Sequence, residues 1–215
     1  MPFRDRQHAG EQLAAALQPF RQDHPVIIAL PRGGVPVAAP IARALGAPLG
    51  LLIVRKLGVP RQPELAMGAI VDGDTPQILR NEAVMAMARV SEADFAAAVA
   101  RETAEIDRRR RRYGASTTLP ALAGRTIILV DDGIATGATI RVALRALRSR
   151  QPRRLIVAVP VAARDMLATL QAEADQLVCL ESHDDFGAVG QYYEDFAQVQ
   201  DAEVLSALAA ATPAA

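Results

Sequence analysis

Cysteine occurs once in the 215-residue chain, as Cys179. That excludes a disulfide framework and a cysteine-rich zinc site. Net charge is also missing, because 24 basic residues balance 24 acidic ones. A dedicated nucleic-acid binder carries a basic excess, so no nucleic-acid partner is expected. No apolar run approaches the ~18 residues of a membrane span. The charged start, Met1 to His8, leads into a short Ala/Leu stretch rather than a signal-peptide core. These absences point to a soluble, cytoplasmic protein with no membrane partner. Lysine is nearly absent too: Lys56 is the one lysine among 24 cations.

Apolar residues make up 51% of the chain and charged residues 22%. That supplies a full core and argues against disorder. The length fits one domain over residues 1–215, or one domain carrying an insertion. Five short apolar runs stand out: Val26 to Leu30, Leu49 to Val54, Thr126 to Val130, Leu155 to Pro160 and Gln176 to Leu180. They do not alternate with polar residues, so they read as strands covered on both faces of a parallel sheet. Amphipathic helical patterns separate them. Leu13, Leu17 and Phe20 share one face, as do Ile140, Ala143, Leu144 and Leu147. Alternating strands and helices predict a doubly wound, mainly parallel α/β fold.

Residues 72–119 break this rhythm. Asp72-Gly73-Asp74 reads as a turn. Asn81 is placed to cap a short helix. Ser91 with Asp94 resembles a capping box for a long helix ending near Tyr113-Gly114. The segment is expected to be a helical flap or hood inserted in the domain. The run Arg108 to Arg112 reads as a solvated helix end, where cations favour the negative dipole terminus; a phosphate or nucleic-acid contact is the alternative.

The most informative stretch runs from Thr126 to Thr139. A buried strand leads into Asp131 and Asp132, then a loop of small residues, then a helix. Open α/β sheets bind ligands at the carboxyl ends of their strands. The turn Thr136-Gly137-Ala138-Thr139 collects backbone amides and two hydroxyls beside a helix N-terminus, which suits a phosphate. The two acids would repel that phosphate and are better placed to accept hydrogen bonds from neutral hydroxyls. A phosphate beside a vicinal diol describes a ribose 5-phosphate. The loop is not a Walker loop, since it has no Gly-Lys-Ser/Thr ending.

Val130 to Thr139 resembles the phosphoribosyl-diphosphate signature of the type I phosphoribosyltransferases. The resemblance covers nearly the whole chain outside the inserted segment. It implies that Asp131 and Asp132 hold the ribose hydroxyls and that Ala135, Thr136, Gly137, Ala138 and Thr139 hold the 5-phosphate. It implies Mg²⁺ arriving with the substrate, a homodimer, and a small-molecule base as second substrate. Pro31-Arg32-Gly33-Gly34, after the first strand, falls where the family carries its diphosphate loop, often with a cis peptide. Arg32, Gly33 and Gly34 are therefore expected at the diphosphate. Val54-Arg55-Lys56-Leu57-Gly58 is similar to the Arg-Lys-x-Gly sequence of adenine-type enzymes, which implies Arg55 and Lys56 at the diphosphate. A compact ammonium where nearly every other cation is Arg suits that role. Glu64 is a candidate acid/base or hood contact, and equally a solvated loop residue.

The stretch Asp185 to Phe196 holds four of the eight aromatic residues. It resembles the purine hood of hypoxanthine–guanine enzymes, which implies Phe186, Tyr192 and Asp195 near the base. Packing of these aromatics between hood and sheet is the alternative. His183, Asp184 and Asp185 read as a polar turn rather than a metal site. One departure is clear. Hypoxanthine-type enzymes place an Asp in the phosphate loop, and this chain has Ala135, as adenine-type enzymes do. The expected reaction is displacement of diphosphate from phosphoribosyl diphosphate by a nitrogen nucleophile. The rival is a non-catalytic sensor of phosphoribosyl diphosphate or nucleotides.

Overall fold

The computed structural model describes residues 2–73, 76–114, 119 and 121–211. In chain order its elements begin with α1 (Arg6–Ala16), β1 (Val26–Ala29), α2 (Gly34–Leu45) and β2 (Leu49–Leu51). There follow β3 (Val54–Val59), β4 (Gln62–Val71), β5 (Gln77–Arg80), α3 (Glu82–Met87) and α4 (Glu92–Tyr113). The chain ends through β6 (Thr126–Val130), α5 (Ala138–Arg148), β7 (Arg154–Ala163), α6 (Arg164–Glu173), β8 (Gln176–His183) and α7 (Asp201–Ala211).

Five strands form a parallel sheet in the order β2-β1-β6-β7-β8. Because successive side chains point to opposite faces, each strand feeds two cores. Ile27, Ala29, Ile128 and Val130 pack with Leu13 of α1, Ile41 of α2 and Val204 of α7. Val26, Ile28, Ile127 and Leu129 pack with Ile140 and Leu144 of α5 and Leu170 of α6. This is the doubly wound arrangement that continuous apolar runs require, with both sheet faces covered. Register places the ends of β1 and β6 side by side, with Ala29 opposite Val130. The loops after these two strands therefore leave the sheet together.

The inserted part differs from expectation. It is not purely helical and does not begin at residue 72. Val54 opens a separate antiparallel sheet in the order β3-β4-β5, which α3 and α4 follow. The run Leu49 to Val54 is thus two elements rather than one. Leu52 still donates to the Ala29 carbonyl, but Ile53 gives its carbonyl to the amide of Asp72 from the far end of β4. Pairing passes there from the main sheet to the hairpin. The hairpin turns at Pro60-Arg61, with Arg61 at φ 67°. That turn carries no Asn-Gly or Asp-Gly signal, so the sequence pattern hides it. Leu57, Met67, Phe95 and Ile106 of this hood join the same hydrophobic cluster as Ile27 and Val130.

The caps follow the reading of the sequence. Asn81 Oδ1 accepts from the Val84 amide at 3.2 Å. Ser91 Oγ accepts from the Asp94 amide at 3.1 Å and donates to its carboxylate at 2.6 Å. Three arginines of the 108–112 run have acid partners: Arg108 and Arg109 pair with Glu105, and Arg110 with buried Asp72. The two arginines hold the Glu105 carboxyl down to about 2.

Candidate active site

The loop after β6 starts at Asp131 and Asp132. The Asp132 amide donates to Asp131 Oδ1 at 2.9 Å. Ile134 then pairs with β7: its amide donates to the Val161 carbonyl, and its carbonyl accepts from Ala163. Gly137 takes φ 67°, a left-handed conformation natural to glycine, and α5 begins at the next residue. First-turn amides of a helix have no partner within it and attract anions. Residues 133–140, with Asp131 and Val189, line a cavity of about 190 Å³. The loop at the start of α5 and Asp131 thus line one small space.

The loop after β1 abuts this one. The Pro31–Arg32 peptide is cis, in keeping with the family resemblance. Gly34 donates to the Leu30 carbonyl as α2 starts. Gly33 lies against Asp132, where any β-carbon would overlap its carboxylate. The Arg32 guanidinium is within electrostatic reach of Tyr113, at the end of α4, and of Asp201, at the start of α7. Tyr113 Oη donates to Asp201 at 2.8 Å, which fastens the hood helix to α7. Burial and this bond push the Tyr113 hydroxyl up to about 12.

Burial holds both acids above the usual carboxylate range, and the charge of Asp132 raises Asp131 further. Arg6 works in the opposite sense. Its Nε donates to Asp132 Oδ2 at 2.8 Å, and its side chain is only 11% exposed.

The other expected site residues divide. Ala135, Thr136, Gly137, Ala138 and Thr139 all line the cavity with Asp131. Arg55 donates to Glu102 of α4 at 2.8 Å, and Glu102 also takes Arg101. Lys56 lines a separate cavity of about 500 Å³ between the β3–β4 hairpin and α4. Glu64 lies on β4, and its side chain is outside the described residues. Tyr192 is sandwiched between His183 and Phe186, with ring centroids 4.4 and 4.8 Å away. Both of its faces are occupied, so the packing alternative describes this ring. Asp195 is exposed and accepts from the Ala197 amide at 3.0 Å; neither it nor Phe186 lines the cavity.

Four residues at the site escaped sequence reasoning. Val189 closes the cavity and packs over Gly133. Tyr193 Oη donates to the Asp132 carbonyl at 2.6 Å. Arg6 comes from the opposite end of the chain, and no local pattern marks it. Glu102 had one signal: a carboxylate on the stripe formed by Phe95, Ile106 and Tyr113. Among the described residues, no group of three or more His, Cys, Asp or Glu side chains converges as a metal cage. No described helix is long and apolar enough to cross a membrane.

Comparison with known proteins identifies the family. Residues 6–197 match the sequence model of the family "Phosphoribosyl transferase domain". The chain is 42% identical over 206 residues to "Putative phosphoribosyl transferase Rv0571c" of Mycobacterium tuberculosis (strain ATCC 25618 / H37Rv), covering 96% of this chain and 46% of that protein. The same values hold for "Putative phosphoribosyl transferase MT0597" of strain CDC 1551 / Oshkosh. The chain therefore spans about half the length of these curated relatives. The crystal structure of TT1426 from Thermus thermophilus superposes with a TM-score of 0.81 at 41% identity, covering 97% of this chain and 98% of that one. With the acid pair at the end of β6, the small-residue loop before α5 and a family match across most of its length, this chain belongs to the phosphoribosyltransferase family.

Proposed function

We propose that the protein transfers a phosphoribosyl group from phosphoribosyl diphosphate to a nitrogen nucleophile, a nucleobase. The observation that carries this reading is the single cavity lined both by the loop around Gly137 and by Asp131. The 5-phosphate sits on residues 135–139. The ribose hydroxyls donate to Asp131 and Asp132. The bond from C1 to the diphosphate oxygen breaks, and a bond from C1 to nitrogen forms, through an oxocarbenium-like transition state as at other glycosidic centres. Negative charge collects on the departing diphosphate. The amides of Arg32 and Gly33, with Gly34 leaving room for close approach, and the cations Arg55 and Lys56 take it up, with Arg55 held by Glu102. Glu64 is the acid/base candidate. The hood keeps water from the activated sugar.

The donor set here is hard oxygen, which suits Mg²⁺. Asp131 and Asp132 are the protein carboxylates that would adjoin an ion carried by the substrate, and its chemistry is to neutralise charge on the phosphates.

The test is release of diphosphate from phosphoribosyl diphosphate with Mg²⁺ across a panel of nucleobases. Turnover with one base supports transfer. Tight binding with no turnover by any base replaces transfer with sensing.

A further inference from the structure

We infer that Arg6 is a positioning residue: it fixes the Asp132 carboxylate against the strap of residues 192–197. The inference rests on the sugar-phosphate reading above.

Helix formation does not account for Arg6. It occupies the first position of α1, where the helix dipole disfavours a cation. The cap of that helix is already made by Asp5, whose carboxylate accepts from the His8 amide at 2.7 Å. The Arg6 side chain instead spends its donors elsewhere. Nε reaches Asp132, and Nη1 donates to the Ala197 carbonyl at 2.9 Å. The guanidinium lies over the Phe196 ring at 3.7 Å. Carboxylate, carbonyl and aromatic face together require a planar fork, which Lys cannot supply. Phe3, just before α1, donates to the Tyr192 carbonyl and accepts from Glu194. Tyr193 in turn grips the Asp132 carbonyl. The start of α1, the strap and Asp132 thus form one unit.

The chemical need is plain. Two adjacent ionised carboxylates in a poorly solvated place repel each other. A protonated acid offers less to a ribose hydroxyl than an ionised one. The groups facing Asp132 are Asp131 beside it, Arg6 from α1 and Tyr193 from the strap, and Arg6 is the cation among them. It offsets that repulsion and holds the Asp132 carboxylate where a hydroxyl can reach it.

The experiment is calorimetric titration of the full chain with ribose 5-phosphate near neutral pH. Arg6→Met, Arg6→Lys and Phe196→Leu are compared with the unmodified protein. Arg6→Met is expected to weaken binding roughly 10- to 100-fold. Arg6→Lys falls between, because it returns the charge without the fork. Phe196→Leu, which keeps both charges, shows a smaller loss and serves if Arg6→Met does not fold. Inorganic phosphate is the control probe, and its binding to the loop around Gly137 should follow Arg6 weakly. If the unmodified protein ignores ribose 5-phosphate, the site reading itself fails. If it binds, and the Arg6 variants match its affinity or lose only thermal stability, the site reading stands and the role of Arg6 is overturned.

Discussion

Gly33 and Asp132, from loops after different strands, are packed so closely that a β-carbon on Gly33 would overlap the Asp132 carboxylate. Gly33→Ala must therefore displace either the Arg32 loop or the acid. Rearranging a packed site of this kind costs about 1–3 kcal/mol. Urea unfolding is expected to show that loss. Calorimetry is expected to show ribose 5-phosphate binding weakened by more than about tenfold. Full affinity in the variant would mean that the two loops do not act together.

Glu102 carries a different load. It is 8% exposed and accepts from both Arg55 and Arg101. Glu102→Ala leaves Arg55, itself about one-third exposed, without its carboxylate. Water reaches Arg55, so the cost is expected at about 1–3 kcal/mol rather than that of a fully buried pair. Chemical denaturation measures it. A change within about 0.5 kcal/mol would make the pair incidental to the hood.

Asp131 should make the protein less stable than it need be. Its carboxyl is held above the usual range by burial and by Asp132. Folding thus favours the protonated acid. That contribution is complete below the unfolded value near pH 4 and is lost as pH rises through the folded value. Asp131→Asn keeps an acceptor for the Asp132 amide and cannot ionise. At pH 7 its Tm is expected above that of the unmodified protein, by about 2–4 °C for each kcal/mol recovered. The gap should close as pH falls toward about 4. Equal melting curves at every pH would contradict the assigned environment.

Lys56 tests the proposed chemistry from the hood side. If its ammonium meets charge that develops on diphosphate, Lys56→Ala lowers turnover more than it lowers ground-state affinity. Steady-state kinetics beside calorimetry separates the two. An unaltered turnover would leave Lys56 a lining residue of the cavity beside α4.

Much of this fold was legible because continuous apolar runs have one economical use. Val26–Ala29 and Thr126–Val130 are buried on both faces, and only a covered parallel sheet accepts such strands. The strand–loop–helix around Gly137 was legible because its pattern is local, with acids, small residues and a helix start within ten positions. The β3–β4 hairpin was not, because Arg61 takes the left-handed turn position usually marked by glycine or asparagine. Arg6 and Tyr193 were not, because they reach Asp132 only after the chain has closed on itself, and spacing carries no trace of that contact. Tyr192 misled for a related reason. Its ring suits a heterocycle, but the structure places His183 and Phe186 on its two faces.

The central claim is that Asp131 and the loop around Gly137 hold opposite ends of one sugar phosphate. A crystal structure with ribose 5-phosphate tests it most directly. The account places the phosphate on the amides of residues 136–139 and the ribose hydroxyls within hydrogen-bond reach of Asp131. A phosphate bound elsewhere, or a ribose turned away from Asp131, would contradict it.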